Sequence, residues 1–306
     1  MSRIFFRDII NHCYQRSADG GVIFYTEWDY LVWFTTVCTT AIKYKVQILA
    51  MCPMPDHTHF SVVARTRKDL SGFMGVYTHD FSRAYNTAFH LKGPLFKHSF
   101  GSAPKVGAKK ARTNLIYVNN NAVERQLAVT AEKYRWSFVA YAASDHPFSE
   151  KLIVRQSSRA LYSAIKEIKF CRKRGRPLNY KQLSRLFGPL NKLEREQLID
   201  YIIVQYNVID YAAALAFFDH SYEHYLTALH ATIGSEYDLN EVFIGKSDKH
   251  YDTLTNLLLQ NKRYSDIHEM LSLDHDGKQE LFHYLRGATS VMGAQIAKYI
   301  HLLQRT

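Results

Sequence analysis

Two histidines one residue apart constrain this chain more than any other stretch: His57 and His59, in the run Met54-Pro55-Asp56-His57-Thr58-His59-Phe60. Side chains alternate between the faces of a strand, so the two imidazoles project together while Thr58 and Phe60 turn away. The flanks support strands. Val46-Gln47-Ile48-Leu49-Ala50-Met51-Cys52 leads into a Pro-x-Pro turn, and Phe60-Ser61-Val62-Val63-Ala64 follows. A rigid strand carrying two adjacent imidazoles is half of a metal site.

The spacing alone proves little. With 15 His in 306 residues, chance yields about 0.7 such pairs. A second stretch gives the pair meaning. Arg112 to Val129 has helical periodicity, with Leu115, Ile116, Val118 and Val123 available for burial. On that helix Tyr117 and Asn121 lie four apart and share a face. A phenol then sits one turn from an amide oxygen able to complete a His-His-Asn set of metal ligands.

The ordered combination of Met-Pro-Asp-His-Thr-His-Phe, the Tyr117-x-x-x-Asn121 helix and Tyr134-Arg135-Trp136-Ser137 resembles the single-tyrosine HUH transposases, and within them the REP-associated tyrosine transposase group. The resemblance runs from about Ile9 to Ala142. One departure is visible: Asn121-Ala122 stands where that family usually has Asn-Pro, which bears on geometry but removes no ligand. The resemblance implies a ferredoxin-like or RRM-like antiparallel sheet and cleavage of single-stranded DNA with hairpin or palindromic ends. It implies Tyr117 as nucleophile, a covalent 5′-phosphotyrosine, and Mg2+ or Mn2+ on His57, His59 and Asn121. A free phenol ionises near pH 10, so a nearby cation would have to favour the phenolate. Imidazoles also suit zinc or nickel, while magnesium prefers oxygen.

Charge fits such a partner. A formal net charge of +11 and a pI near 9.3 point to a polyanion, nucleic acid first and an acidic membrane surface second. The 21 Tyr and 18 Phe suit base stacking and cores alike. Cys13, Cys38, Cys52 and Cys171 are scattered with no Cys-x-x-Cys, which suits a reducing compartment and speaks against a zinc ribbon or disulfide framework. The sequence has no signal-like start and no apolar run of spanning length, so a soluble protein of the cytoplasm is expected.

Read in order, the chain gives a strand over Ile9 to Arg16 and a turn at Asp19-Gly20-Gly21. A helix from Glu27 to Lys45 opens at Thr26, the His-bearing hairpin follows, and a long helix covers Lys68 to Leu91. Lys92 to Arg112 reads as a basic connection. It carries Lys97, Lys105, Lys109, Lys110 and Arg112 and leads into the Tyr117 helix, which favours phosphate gripping over a merely solvated loop. Strands stop after Ala142, and Asp145-His146-Pro147 marks a boundary. The expected class is therefore α+β, a catalytic domain over 1–145 followed by an all-α accessory region over 146–306.

The accessory region offers further DNA-contact candidates. Arg172, Lys173, Arg174 and Arg176 form a basic helix end, and Arg174-Gly175-Arg176-Pro177 also spells the core of an AT-hook. Lys278 to Leu303 reads as two short helices around Gly287-Ala288-Thr289-Ser290, a helix-turn-helix-like pattern that serves packing or DNA reading. His220-Ser221-Tyr222-Glu223-His224 matches an inverted zinc-protease spelling, but neither Glu236, Glu241 nor Glu269 is singled out as a third ligand, so an exposed helix face is expected.

The function expected is DNA strand transfer by a tyrosine nucleophile, in a protein that could work as a homodimer. Two rivals stay open: an HUH replication-initiator or relaxase-type nickase, and a non-catalytic DNA-binding regulator. The single tyrosine of catalytic placement on the Tyr117 helix argues against two-tyrosine nickases. Retention of His57, His59, Tyr117 and Asn121 together argues against the regulator.

Overall fold

A computed structural model describes residues 4–231 and 247–302. Four strands, β1 (Ile10–Arg16), β2 (Gln47–Met54), β3 (His57–Val63) and β4 (Gly101–Pro104), form one antiparallel sheet in the order β2-β3-β1-β4. Helices α1 (Glu27–Tyr44) and α2 (Arg67–Phe89) precede and follow the β2–β3 hairpin, and α3 (Ala108–Glu124) follows β4. Beyond these come α4 (Arg159–Lys173), α5 (Tyr180–Phe187), α6 (Lys192–Tyr206), α7 (Tyr211–Leu215), α8 (Tyr222–Ala231), α9 (Lys249–Gln260), α10 (His275–Ala288) and α11 (Gly293–Tyr299). The architecture is the α+β sheet with a helical carboxy-terminal part that the sequence implies.

Local chemistry explains the main boundaries. At the head of α1 the Asp29 carboxylate accepts from the Thr26 backbone N–H at 2.8 Å and from its hydroxyl at 3.1 Å, which satisfies groups that no helical turn could reach. Thr66 caps α2 by accepting from the Asp69 N–H at 3.0 Å. Leu70, Phe73, Met74, Tyr77, Phe81 and Tyr85 then recur at helical spacing and are all buried.

Two expectations need correction in the stretch from Lys92 to Arg112. It is not only a connection: Gly101–Pro104 pairs with β1 as the sheet's fourth strand. A Cβ at Gly101 would lie 2.1 Å from the Tyr14 ring, so only glycine lets that ring lie across the edge strand. The Tyr117 helix also starts at Ala108, earlier than Arg112, and ends at Glu124 rather than Val129. Gly107, at φ 85°, makes the turn into it. Lys109, Lys110 and Arg112 are therefore exposed residues of the first two helical turns, not of a loop.

The two faces of the sheet differ. On one, Phe60 meets Trp33 of α1 and Phe73 and Tyr77 of α2. The other carries the histidines and is covered by α3, whose Asn114 accepts a hydrogen bond from Ser61 at 2.8 Å. One apolar core takes residues from both 10–141 and 161–229, with α5 and α6 packed against α1. The edge of β2 is closed by the later half, where the Asp210 N–H donates to the Ile48 carbonyl at 2.8 Å. Residues 251–300 build a second core that recruits Val22 and Tyr25 from the loop before α1. Among the described residues no helix is long and apolar enough to cross a membrane. All four cysteines are buried.

Candidate active site

The face under α3 assembles its groups through strand register. His59 of β3 stands opposite Tyr14 of β1, His57 opposite Arg16, and Ser61 opposite His12. Directly opposed residues share a face, so His12, Tyr14, Arg16, His57 and His59 form one polar field. The His57 and His59 rings are 4.8 Å apart, centroid to centroid. From above, α3 brings Tyr117, whose ring meets both His12 and His59 edge-on at 5.4 Å. Asn121 is buried one turn further on and donates to the Tyr117 carbonyl at 2.8 Å.

Each histidine is held on its Nδ1 side. His57 Nδ1 lies 2.6 Å from Asp56 Oδ1, and His59 Nδ1 lies 3.0 Å from His12 Nε2. Asp56, as an anion, can only accept, so His57 Nδ1 donates to it and His57 Nε2 is the nitrogen that can ligate, whereas between His59 and His12 either ring can be the donor. Burial, then the neighbouring His57 and His12, drives the His59 pKa well below its ordinary value. His12 falls to about 3, by burial and then by the charge of Lys105. Both rings are therefore neutral at ordinary pH, as ligands or hydrogen-bond acceptors must be. Burial alone would raise the Asp56 pKa, but His57 and Lys298 hold it below the usual carboxylate range, so it stays an anion.

The donor set fits a hard or borderline divalent cation. Among the described residues no three His, Cys, Asp or Glu side chains gather to hold a metal. The Asn121 amide nitrogen is already engaged, which leaves its oxygen as a neutral donor that could join the two imidazoles.

The basic residues divide into two groups. Lys97 joins the end of β1, its N–H donating to the Arg16 carbonyl at 2.9 Å, and Lys105 joins the start, donating to the Ile10 carbonyl at 2.8 Å. Lys109 and Lys110 are exposed on α3, and the Arg112 guanidinium lies 5.0 Å from the centroid of the Phe218 ring. Arg172 and Lys173 instead close α4, with Arg174 and Arg176 just beyond it, and Arg172 donates to the Gln205 carbonyl at 2.9 Å. That layer is stacked beyond α6 and α1, across the sheet from Tyr117.

The protease-like spelling dissolves: His220 precedes α8 in a left-handed conformation, and His224 pairs with Asp219 at 3.2 Å. Glu269 caps its own turn by accepting from the Asp266 N–H at 3.0 Å. Glu236, Glu241 and Leu303 lie outside the described residues. Two helices do meet at 275–299, but Gln295, Ile296, Lys298 and Tyr299 of the second are buried rather than presented to a groove.

Sequence reasoning missed His12, Arg16 and Lys298. The first two carried a signal: His12, Tyr14 and Arg16 recur at period two on a predicted strand, which puts them on one face. Lys298 carried none.

Comparison with known proteins bears on the same segment. No curated protein matches the chain. A solved structure of a REP-associated tyrosine transposase bound to a REP hairpin is similar at 14% identity and a TM-score of 0.40, over 46% of this chain and 82% of that one. The family model described as "Transposase IS200 like" matches residues 23–121, so the stretch that carries His57, His59, Tyr117 and Asn121 is the stretch that resembles the IS200-like transposases.

Proposed function

We propose that the chain is a metal-dependent DNA transposase that cleaves and rejoins single strands, with Tyr117 as nucleophile. The observation that carries this reading is the Tyr117 ring set edge-on against His59 and His12, 5.4 Å from each, with the His57 ring 4.8 Å from His59 and its Nδ1 engaged. The family match over residues 23–121 supports the reaction class. A net charge of +11 supports a nucleic-acid substrate. The substrate proposed is single-stranded DNA with hairpin or palindromic ends, the kind the sequence resemblance implies.

A Mg2+ or Mn2+ ion held by His57, His59 and Asn121 would neutralise charge on a non-bridging phosphate oxygen. Tyr117 attacks phosphorus through its phenolic oxygen. The bond to the 3′ oxygen breaks, a free 3′-hydroxyl leaves, and the phosphate becomes a 5′-phosphotyrosine. One phosphodiester has replaced another, so an incoming 3′-hydroxyl reverses the step without an external energy source. Tyr117, His59 and Asn121 are buried, so the DNA-bound form must expose the face between β3 and α3. Lys97 and Lys105 flank β4, and Lys109, Lys110 and Arg112 lie on α3; together they would grip the backbone. Arg172, Lys173, Arg174 and Arg176 would hold DNA elsewhere.

The test is a denaturing gel of labelled single-stranded hairpin DNA incubated with protein and Mn2+. The wild type should give a protein–DNA adduct. Tyr117→Phe should give none while still shifting the DNA in a native gel. An adduct that persists in the Phe variant moves the nucleophile elsewhere.

A further inference from the structure

We propose that Lys298, on the last helix described, is a positioning residue for His57: its ammonium fixes the Asp56 carboxylate, and that carboxylate fixes which ring nitrogen of His57 can ligate. The inference rests on the metal-ligand reading of His57 given above.

The geometry is a chain of three side chains. Lys298 Nζ lies 2.5 Å from Asp56 Oδ2, and Asp56 Oδ1 lies 2.6 Å from His57 Nδ1. The lysine and histidine side chains are each 4% exposed and the aspartate 15%. A buried ammonium costs free energy unless it is paired, and replacing a buried pair by apolar residues is often neutral or stabilising. Packing alone therefore gives α11 no reason to bury a lysine among Ile296, Tyr299 and Ile300. Docking has its own contacts: the Tyr25 hydroxyl donates to the Tyr299 carbonyl at 2.7 Å, and His301 lies 2.7 Å from the Val22 carbonyl and 2.5 Å from Asp19. The Lys298 ammonium also lies 5.9 Å from the Tyr251 ring centroid, but its close ionic contact is with Asp56.

A carboxylate tied at one oxygen only can rotate or swing toward water. Tied at both, it presents a fixed acceptor to Nδ1–H, which selects the tautomer whose Nε2 carries the ligating lone pair. Outer partners of this kind typically shift metal affinity by about 10–100-fold when removed. Two distant parts of the chain thus meet at one ligand. The helix that resembles half of a DNA-reading hairpin instead completes the surroundings of His57.

The experiment measures Mn2+ binding to the full chain, by EPR of the free ion, beside a thermal melt of each variant. Lys298→Met keeps length and apolar character but removes the charge, and, acting through Asp56 rather than on His57 itself, should weaken Mn2+ binding by about 10-fold, the lower end of that range, while the protein stays folded. Tyr25→Phe loosens the docking of α11 without touching Asp56 and should bind Mn2+ like the wild type. If wild type binds no Mn2+ that His57→Ala abolishes, the metal reading falls and this role falls with it. If wild type binds and folded Lys298→Met binds equally, the positioning role is overturned while the metal reading stands. Equal losses in Tyr25→Phe and Lys298→Met would reduce Lys298 to a docking contact. Should Lys298→Met fail to fold, Lys298→Gln beside Lys298→Arg decides: weaker Mn2+ binding in folded Lys298→Gln than in Lys298→Arg upholds the role, and equal binding in the two overturns it.

Discussion

Phe60 and His59 are neighbours in sequence and belong to different worlds. Phe60 points into the apolar layer of Trp33, Phe73 and Tyr77. His59, also fully buried, points into a layer of His12, His57 and Tyr117. Burial is equal on the two faces, but what it achieves is not. On the apolar face it stabilises the fold through area removed from water. On the polar face it holds His12 and His59 neutral, which prepares chemistry at some cost in stability.

The largest effect that separates the faces is on stability. Phe60→Ala should destabilise the protein by about 3–5 kcal/mol, as large-to-small changes in tight aromatic cores do. His59→Ala should cost clearly less in the same urea titration, because it removes a desolvated polar ring whose burial was unfavourable. In the adduct assay the order should reverse, with His59→Ala inactive and any folded Phe60→Ala protein still forming adduct. Equal stability losses would mean that the polar face is structural after all.

A residue-by-residue reading recovers much of this division, and its failures have physical causes. The period of two around His57 places the hairpin and the shared face of both histidines. Helical spacing from Leu70 to Tyr85 places α2, and Thr26 places the start of α1. The fourth strand is invisible to such a reading because Gly101-Ser102-Ala103-Pro104 is short, with neither alternation nor β-branched residues. It exists because β1 has an open edge and glycine leaves room for Tyr14. The start of α3 is misplaced because Lys109 and Lys110 read as loop charge, although the turn at Gly107 has already begun the helix. The link from Lys298 to His57 depends on tertiary contact alone, and no local pattern encodes it.

A second effect sharpens the comparison through pH. Two buried histidines are driven in opposite directions. His12, on the polar face, falls to about 3 through burial and the charge of Lys105. His268 stacks on Phe89 at 3.6 Å and bonds Asp29 at 3.1 Å and Asp266 at 2.6 Å. Burial alone would lower it, but Asp29 and then Asp266 raise it to about 9. A raised folded-state pKa stabilises fully below the ordinary value of 6.5, and that stability is lost as pH rises through about 9. His268→Gln should therefore flatten the decline in melting temperature between pH 6.5 and 9. A depressed pKa works the other way, so the acid decline below 6.5 that His12 contributes should remain in that variant. An alkaline limb unchanged by His268→Gln would show that His268 is neutral in the fold.

The smallest expected effect asks how far the polar face extends toward DNA. Lys109, Lys110 and Arg112 are exposed in the first turns of α3, the helix that presents Tyr117. No acidic residue shares that first turn, so a helix N-terminus and three cations concentrate positive potential at one end of the site. Changing all three to Ala should leave the melt nearly unchanged, because exposed charges contribute little to stability. It should weaken single-stranded DNA binding irrespective of sequence, since phosphate contacts position the chain without reading bases. Every phosphate no longer neutralised should reduce the slope of log affinity against log salt by about 0.7. The diagnostic is the slope rather than the affinity at one salt concentration, because a slope counts phosphates while an affinity also reflects stacking. The same measurement on Arg172, Lys173, Arg174 and Arg176, across the sheet from Tyr117, supplies the contrast. If the α3 triple keeps the wild-type slope while the α4 set lowers it, DNA enters from the side of α4, and the basic turn of α3 is only a solvated end of the helix.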